Sequence, residues 1–570
     1  MRIEGNVVNK KRIWVFSLVL VIIHSFGLTK RYVPWFTDEI GYWASAALMK
    51  GYNWREVMST GGYYGYGYGI VLSLIINISN IHIRFHCAQF INVVLVVVTY
   101  ILLVRIICKI FAESTESICF VCMCYPYIQV YTHLSMAEIA LTCIYVISVY
   151  ALLRFNEERT IKWSIVIGIC VFVMFSIHLR SLVALLGLLI ILLVTLISEK
   201  NKKNKINVLV GILISIIALA VVWKIKDYVV ESLYTVITSG NQKLEQNKGN
   251  SSFSSYIWML SNIFKLDFWK LIFKSFEGKF FYSMVASFTL TFISSIWILK
   301  SLFNSSTIQK PVLLYIFFSY WGEVALTIIS MFNVGRFDNL MYGRYSEAFI
   351  LPILCIGTYL LCNGKYKIKD CMINIILMLL LSIDMFQFIQ NNEFKPSLDM
   401  AMCSVSGWNI TNISDIEVFY VLGVVSIITG VTILLCVMGK RTRKGTLVVL
   451  VLIWFIVGQN CLKNNVYNGY WTADKLEETT IAIDNQNKNE KIYYLLPEET
   501  NDMGSAAWRD MLFLQYMLVD KIIYVVDESE ISKVKENEML LIEKNISGYE
   551  QYVDKDKVIH ENELIVVMVK

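Results

Sequence analysis

The sequence predicts an α-helical polytopic membrane protein with about thirteen transmembrane helices, followed by a small C-terminal α/β domain outside the bilayer. Three observations carry that prediction. The 570 residues are 56% apolar and only 17% charged, with a mean hydropathy of +0.56, where a soluble chain carries about 25% charge. The apolar residues are gathered into blocks of roughly 17 to 25, enough helix to cross about 30 Å of hydrocarbon. Basic residues cluster between those blocks, spaced so that an even number of crossings separates one cluster from the next.

The clusters are Lys10-Lys11-Arg12, Arg105/Lys109, Arg154 to Lys162, Lys200 to Lys205, Lys300/Lys310, Lys365 to Lys369 and Lys440 to Lys444. Placing all of them on the cytoplasmic side gives spans at 13–29, 85–108, 116–132, 135–153, 161–178, 182–198, 206–224, 280–299, 311–331, 346–362, 371–390, 417–438 and 445–460. The N-terminus is then inside and the C-terminus outside. No small-residue cleavage site follows residues 13–29, so they read as a retained first helix rather than a signal peptide. Residues 68–80 (YGIVLSLIINISN) are apolar but short. Counting them as a crossing sends every later cluster outward, so they read as a half-buried interfacial helix.

That scheme leaves a first outer loop at 30–84 and a long outer loop at 225–279, where polar SGNQKLEQNKGNSS precedes an amphipathic stretch at 253–276. Residues 1–461 form the transmembrane domain. From 462 the chain turns polar, with strand-like runs IYYLL, KIIYVV, EMLLIE and ELIVVMV around a helical stretch near 505–519. Residues 462–570 therefore read as the extracytoplasmic α/β domain.

Most of the thirteen cysteines lie inside apolar blocks, where thiols behave as small hydrophobes. Cys122 and Cys124 have no second pair and no clustered histidine, so no metal site is assigned. The net charge of +6 is distributed as membrane orientation demands, not as a nucleic-acid footprint. P-loop, dinucleotide-binding and G-x-S-x-G patterns are absent from the sequence, which argues against nucleotide use by the chain itself.

Candidate chemistry gathers in the outer loops. Asp38 and Glu39 follow the first span, and Tyr42 falls one helical turn after Asp38. Paired acids at a membrane surface are costly to bury and belong in a watery cavity, where an ionised carboxylate can take a proton from an acceptor hydroxyl. Arg84, Arg180, Arg336 and Arg344 all fall on the outer side, against the orientation bias. Phosphate is a physical reason for arginine there, because the guanidinium fork binds its oxygens bidentately. Glu138 stands at the outer end of a helix as a second acid, to order an acceptor or hold a divalent cation opposite Asp38. His133 and His178 lie at outer helix ends without metal-ligand spacing. Tyr63 and Tyr64, in the Tyr/Gly run 61–69, offer aromatic faces to a sugar, as interfacial tyrosines commonly do to headgroups.

Read in order, these segments resemble the GT-C superfamily, in particular the protein O-mannosyltransferases and the bacterial lipid A aminoarabinose transferases. The pair Asp38-Glu39 followed by Tyr42 and small residues is similar to that superfamily's first outer loop. The stretch from YYGYGYG to Arg84 resembles its interfacial segment, with Tyr and Gly where the family has a proline-rich HPPL. SMAEIALT around Glu138 resembles its second acidic site. SIHLRSLVALLGLL, carrying His178, Arg180 and Ser181, resembles its P-R-G-x-L motif, and MYGRYSEAFILPIL, with Arg344 and Tyr345, resembles its R-Y motif. The resemblance spans roughly residues 10 to 360. It implies an inverting glycosyltransferase that moves a hexosyl or pentosyl group from a polyprenyl-phosphate carrier to an acceptor (a lipid, polysaccharide or protein) on the extracytoplasmic face. In that reading Asp38 is the general base, with Glu39 and Glu138 beside it. Arg84, Arg180, Arg344 and Tyr345 hold the donor phosphate, and Tyr42, Tyr63, Tyr64 and His178 contact sugar or acceptor. No organic cofactor is implied; a divalent cation is the one ion the site leaves room for. Two other classes share parts of the pattern: an undecaprenyl-linked glycan polymerase or ligase, through its outer arginines, and a lipid-linked glycan flippase or transporter. The latter predicts internal repeats and mid-membrane charges, and the sequence shows no clear repeat.

Overall fold

The computed structural model describes residues 8–59, 63–234, 264–303, 309–332, 337–366, 368–391, 399–408, 416–467, 472–486, 491–496 and 505–570. Its principal helices are α1 (Lys10–Ser25), α2 (Thr37–Met49), α3 (Tyr66–Leu72), α4 (Ile81–Phe111), α5 (Glu116–Met123), α6 (Pro126–Thr132), α7 (Glu138–Glu158), α8 (Ile161–Ile177), α9 (Leu182–Ser198) and α10 (Lys202–Leu233). They continue with α11 (Leu266–Ala286), α12 (Leu290–Phe303), α13 (Lys310–Ser330), α14 (Ile350–Cys362), α15 (Ile368–Gln390), α16 (Ile416–Arg441) and α17 (Arg443–Cys461). Each predicted span coincides with helix. Among the described residues eight helices are long and apolar enough to cross a membrane, and nine if α11 and α12 count as one bent span.

The remaining predicted spans are shortened or broken, with visible causes. Residues 116–132 are two helices, because Pro126 has no N–H for the ladder and forces Tyr125 out of helical conformation. Residues 280–299 contain a 99° bend at Ser287–Thr289, where Phe288 and Thr289 adopt positive φ. Residues 68–80, expected to be a short interfacial helix, lie in α3, a seven-residue helix, and the turns that follow it. α10 runs 32 residues, about 48 Å, and so extends past the predicted end at 224 into what was expected to be loop. Most of the long loop, including the first part of its amphipathic stretch, lies outside the described residues, as does Arg336.

The lysine- and arginine-rich ends meet at one end of the bundle. Asn9 N donates to Glu116 Oε1 (2.6 Å), Lys109 pairs with Glu157 (3.2 Å), and Arg159 with Glu199 (3.8 Å). Gln309 donates to the Lys109 carbonyl (2.7 Å), Lys300 pairs with Asp370 (3.2 Å), Lys365 with Glu113 (3.0 Å), and Arg443 donates to the Ser114 carbonyl (3.0 Å). These contacts tie every predicted cluster but the lysines of 200–205 directly, and those lie immediately after Glu199. The basic clusters therefore gather at one end of the helix bundle.

At the opposite end sits the C-terminal unit. Helices α18 (Ala473–Asp484) and α19 (Ala506–Met517) pack on a sheet of β1 (Ile492–Leu495), β2 (Ile523–Val526), β3 (Met539–Glu543), β4 (Val558–Glu561) and β5 (Ile565–Val569). The order is β2-β1-β3-β5-β4, with β1 parallel to β2 and β3, and β5 antiparallel to β3 and β4. Sequence patterning located four of the five strands. The fifth, β4, is a half-exposed edge of four residues with a register shift, too short and irregular to alternate cleanly. The unit is fastened to the first loop. Trp54 Nε1 donates to the Val519 carbonyl (2.9 Å), Tyr32 donates to Asp474, and His82 contacts Glu477 (3.0 Å). Trp35 stacks on Phe513, with ring centroids 5.6 Å apart.

Candidate active site

The site is built where α2, the start of α7, the turn before α9 and the short helix Arg344–Glu347 converge, at the end of the bundle away from the lysines. Asp38 and Glu39 occupy the first turn of α2, where the helix dipole favours negative charge. Successive helical residues point about 100° apart, and here that rotation separates the two acids completely.

Glu39 turns inward and is fully buried. It pairs with Arg31, caps its own helix by accepting from the backbone N–H of Trp35 (2.9 Å) and Phe36 (3.1 Å), and accepts from Ser135 N (2.7 Å) and Oγ (3.0 Å). Every direction in which it could act is occupied, and the loop 31–39 is held to the segment before α7.

Asp38 turns the other way and stays partly exposed. Its Oδ2 accepts from Arg344 Nη1 (2.5 Å) and its Oδ1 from the Tyr64 hydroxyl (2.8 Å). Arg344 Nε donates to Glu138 Oε1 (2.5 Å), so one guanidinium bridges both carboxylates. Side-chain exposure is 26% for Asp38 but 6% for Arg344 and for Glu138. Asp38 is therefore the most exposed of the three, and Arg344, held by Glu138, fixes its direction. Among the described residues the second Glu138 oxygen is buried without a hydrogen-bond partner.

Tyr64 reaches Asp38 because of glycine. An added Cβ on Gly41 falls 1.9 Å from the Tyr64 ring, and one on Gly65 falls 1.9 Å from the Ile177 carbonyl oxygen. The Tyr/Gly run thus lies directly on α2 and on the end of α8. Tyr42 is buried beneath, its ring 5.7 Å from Tyr64 and 5.8 Å from Tyr68. Tyr63 faces away, edge-on to Tyr234.

A second cluster adjoins Arg344. The Arg180 guanidinium lies 3.5 Å over the Tyr345 ring, which also packs against Tyr342 (4.6 Å) and His178 (5.3 Å). His178 Nδ1 accepts from the Arg180 backbone N–H (3.2 Å), which orients the turn. Among the described residues no hydrogen bond or ion pair engages the Arg180 guanidinium, and its Nη1 is buried bare.

The structure thus brings together Asp38, Glu138, Arg344, Tyr42, Tyr64, Tyr345, Arg180 and His178. It places Arg84 elsewhere: Nη1 donates to the Tyr516 carbonyl (2.9 Å), Nε to the Ile78 carbonyl (3.0 Å), and the guanidinium covers the Tyr516 ring. Arg84 fastens the C-terminal unit. The place of a divalent cation between Asp38 and Glu138 is filled by the Arg344 guanidinium, and His133 is engaged by the Tyr467 hydroxyl (2.9 Å). Among the described residues no group of three or more His, Cys, Asp or Glu is arranged to hold a metal. Arg31 was missed in the sequence, although it satisfies the same criterion as the other outer arginines and lies eight residues before Glu39.

No protein-family model matches the sequence, and no curated protein matches it. Solved structures do. ArnT from Cupriavidus metallidurans in the apo state superimposes with a TM-score of 0.53 at 11% identity, covering 98% of this chain and 97% of that one. The same protein bound to undecaprenyl phosphate gives 0.51 at 10% identity, with the same coverage. The fold is that of ArnT, over nearly the whole length of both chains.

Proposed function

We propose that the protein is an integral membrane glycosyltransferase that moves a sugar from a polyprenyl-phosphate carrier to an acceptor hydroxyl, with inversion and with Asp38 as general base. The observation that carries this reading is the Asp38–Arg344–Glu138 bridge beside an unengaged Arg180. It presents, at the same end of the bundle, one partly exposed carboxylate and a guanidinium that stacks on Tyr345 but, among the described residues, makes no hydrogen bond or ion pair. The ArnT fold, solved with undecaprenyl phosphate in ArnT itself, supports the choice of carrier.

The acceptor hydroxyl replaces the Tyr64 hydroxyl at Asp38 Oδ1 and gives up its proton there. Its oxygen bonds to the anomeric carbon as the bond from that carbon to the phosphate oxygen breaks. The electron pair leaves with the phosphate, whose growing charge meets Arg180 and the edge of Arg344. One displacement inverts the configuration. Arg344 holds the Asp38 carboxylate in place through Oδ2, and Glu138 fixes Arg344 through its Nε. Tyr345 carries Arg180 on its face. Tyr42 backs Tyr64, and His178 holds the Arg180 turn; both act by position. The basic end of the bundle is assigned to the cytoplasm by its lysines, which puts the site and the C-terminal unit outside.

The test is transfer from undecaprenyl-phosphate-linked sugar in membranes containing the wild-type chain or Asp38→Asn. The expected result is loss of transfer by about 10²–10⁴-fold with the carrier lipid still bound. Full transfer by Asp38→Asn, or movement of intact lipid-linked sugar across vesicles without its consumption, overturns the reading.

A further inference from the structure

Helix α13 carries a polar stripe through an otherwise apolar span. Tyr315, Ser319, Glu323 and Thr327 recur every four residues, so they share one face, and all four are buried. Tyr315 exchanges a hydrogen bond with Ser148 (2.9 Å), and Thr327 donates to the backbone carbonyl of Glu323 (2.7 Å). The Glu323 carboxyl stands apart. It has 0% exposure, and among the described residues neither oxygen has a hydrogen-bond partner and no ion pair reaches it. Among those residues Arg180 is the charged side chain that bears on it. Ser319 Oγ, one turn away, is also buried bare.

Buried acids are expensive unless bonded, and buried bare polar groups are rare enough to require a reason. A structural counter-ion closes on its arginine. Here the two groups sense each other, yet Arg180 Nη1 and both Glu323 oxygens remain bare, on elements that pack together: α13 touches the turn bearing Arg180 and the short helix bearing Arg344. Such a pair, opposite in charge and left open, suits a ligand that is anionic at one point and rich in hydroxyl donors beside it. A carboxylate repels phosphate and accepts from hydroxyls; a guanidinium does the reverse.

We infer that Glu323 is a specificity-determining residue that accepts hydrogen bonds from hydroxyls of the transferred sugar while Arg180 holds the phosphate to which that sugar is attached. This inference rests on the transferase reading and adds to it the group that distinguishes a loaded carrier from a spent one. After transfer the polyprenyl phosphate keeps its contact with Arg180 but loses the contact with Glu323. Binding is thereby weighted toward the donor over the product.

The test uses the full chain in lipid nanodiscs and five ligands: undecaprenyl phosphate, and the same lipid carrying glucose, galactose, mannose or arabinose. The wild type is expected to bind at least one sugar-bearing lipid more tightly than the bare phosphate. Glu323→Gln is expected to weaken that ligand by about tenfold and to leave the bare lipid unchanged, whereas Arg180→Ala weakens all five. Thermal unfolding is measured alongside, and if the Gln variant melts early, Glu323→Asp must show the same selective loss. Equal weakening of bare and sugar-bearing lipid means that Glu323 acts only through Arg180, and no weakening means that it acts on neither; both overturn the inference. Equal binding of all five lipids by the wild type also overturns it, without touching the transferase reading. Failure of the wild type to bind any of the five strikes the transferase reading itself.

Discussion

Replacing Arg344 by lysine keeps the positive charge but removes the fork that bonds Asp38 and Glu138 at once. Lysine is a point charge on a flexible stem and can satisfy one of the two acids. The other is then left buried or half-buried beside a like charge. Arg344→Lys should therefore lower both activity and thermal stability, and Arg344→Ala should cost about 3–5 kcal/mol, the range for breaking a buried pair. Thermal unfolding of the purified protein, together with transfer per folded molecule, checks both. The neighbouring acids should separate in the same assays. Asp38→Asn is expected to keep the fold and lose the chemistry. Glu39→Gln, which disturbs Arg31 and the loop 31–39, is expected to reduce the amount of folded protein more than the activity of what folds. The sequence showed the paired acids but not their division of labour, which depends on which one the α2 axis turns toward Arg344. Glu323 was hidden for a related reason: one acid within an apolar span reads as tolerated until the fold shows that nothing bonds it.

Elements explain why the Tyr/Gly run takes its form. In the sequence it departs from the proline-rich segment of the family it resembles; in the structure its Gly65 lets the backbone lie against α8, and Gly41 of α2 lets the Tyr64 ring lie against that helix, at distances no Cβ permits. Gly41→Ala should push the Tyr64 ring off Asp38 and reduce transfer, while Tyr64→Phe should remove the hydroxyl and leave the packing. Comparing the two separates the hydrogen bond from the contact. The C-terminal sheet offers a different measurement. Glu543, at the end of β3, is buried and accepts from the Tyr494 hydroxyl, near buried Asp510. Burial, then the Asp510 charge, pushes the Glu543 carboxyl up from 4.5 to about 8. Between those values the folded unit keeps a proton that the unfolded chain releases, so stability falls as pH rises through that window and levels off above it. Thermal unfolding of the full chain between pH 5 and 9 should show the C-terminal transition moving to lower temperature, and Glu543→Gln should flatten the dependence. A stability that rises with pH over this range contradicts the assignment. Strand patterning revealed the sheet, but no local signal reveals a carboxyl that two other elements bury.

At the scale of the molecule, the arrangement of charge is the strongest statement the chain makes about itself. Its lysine-rich ends contact one another, and its arginine-bearing site and C-terminal sheet share the far end. Periodicity and charge spacing made this legible because each span is long and each basic cluster local. They missed the Pro126 break and the bend at Phe288–Thr289, since neither changes the number of times the chain changes sides. The fold fixes which groups are together, and the cytoplasmic assignment of the basic end is a proposal drawn from the positive charges. That assignment is testable with little background, because eleven of the thirteen cysteines are buried and only Cys87 and Cys436 are half-buried. Asp520 and Lys202 are exposed at the two ends. A membrane-impermeant maleimide on intact cells should label Asp520→Cys at once and Lys202→Cys only after permeabilisation. The reverse pattern would place the candidate base beside the cytoplasmic pool of soluble sugars. The unengaged arginine would then need a ligand other than a carrier lipid presented from outside, because a phosphate headgroup on the outer leaflet could no longer reach it.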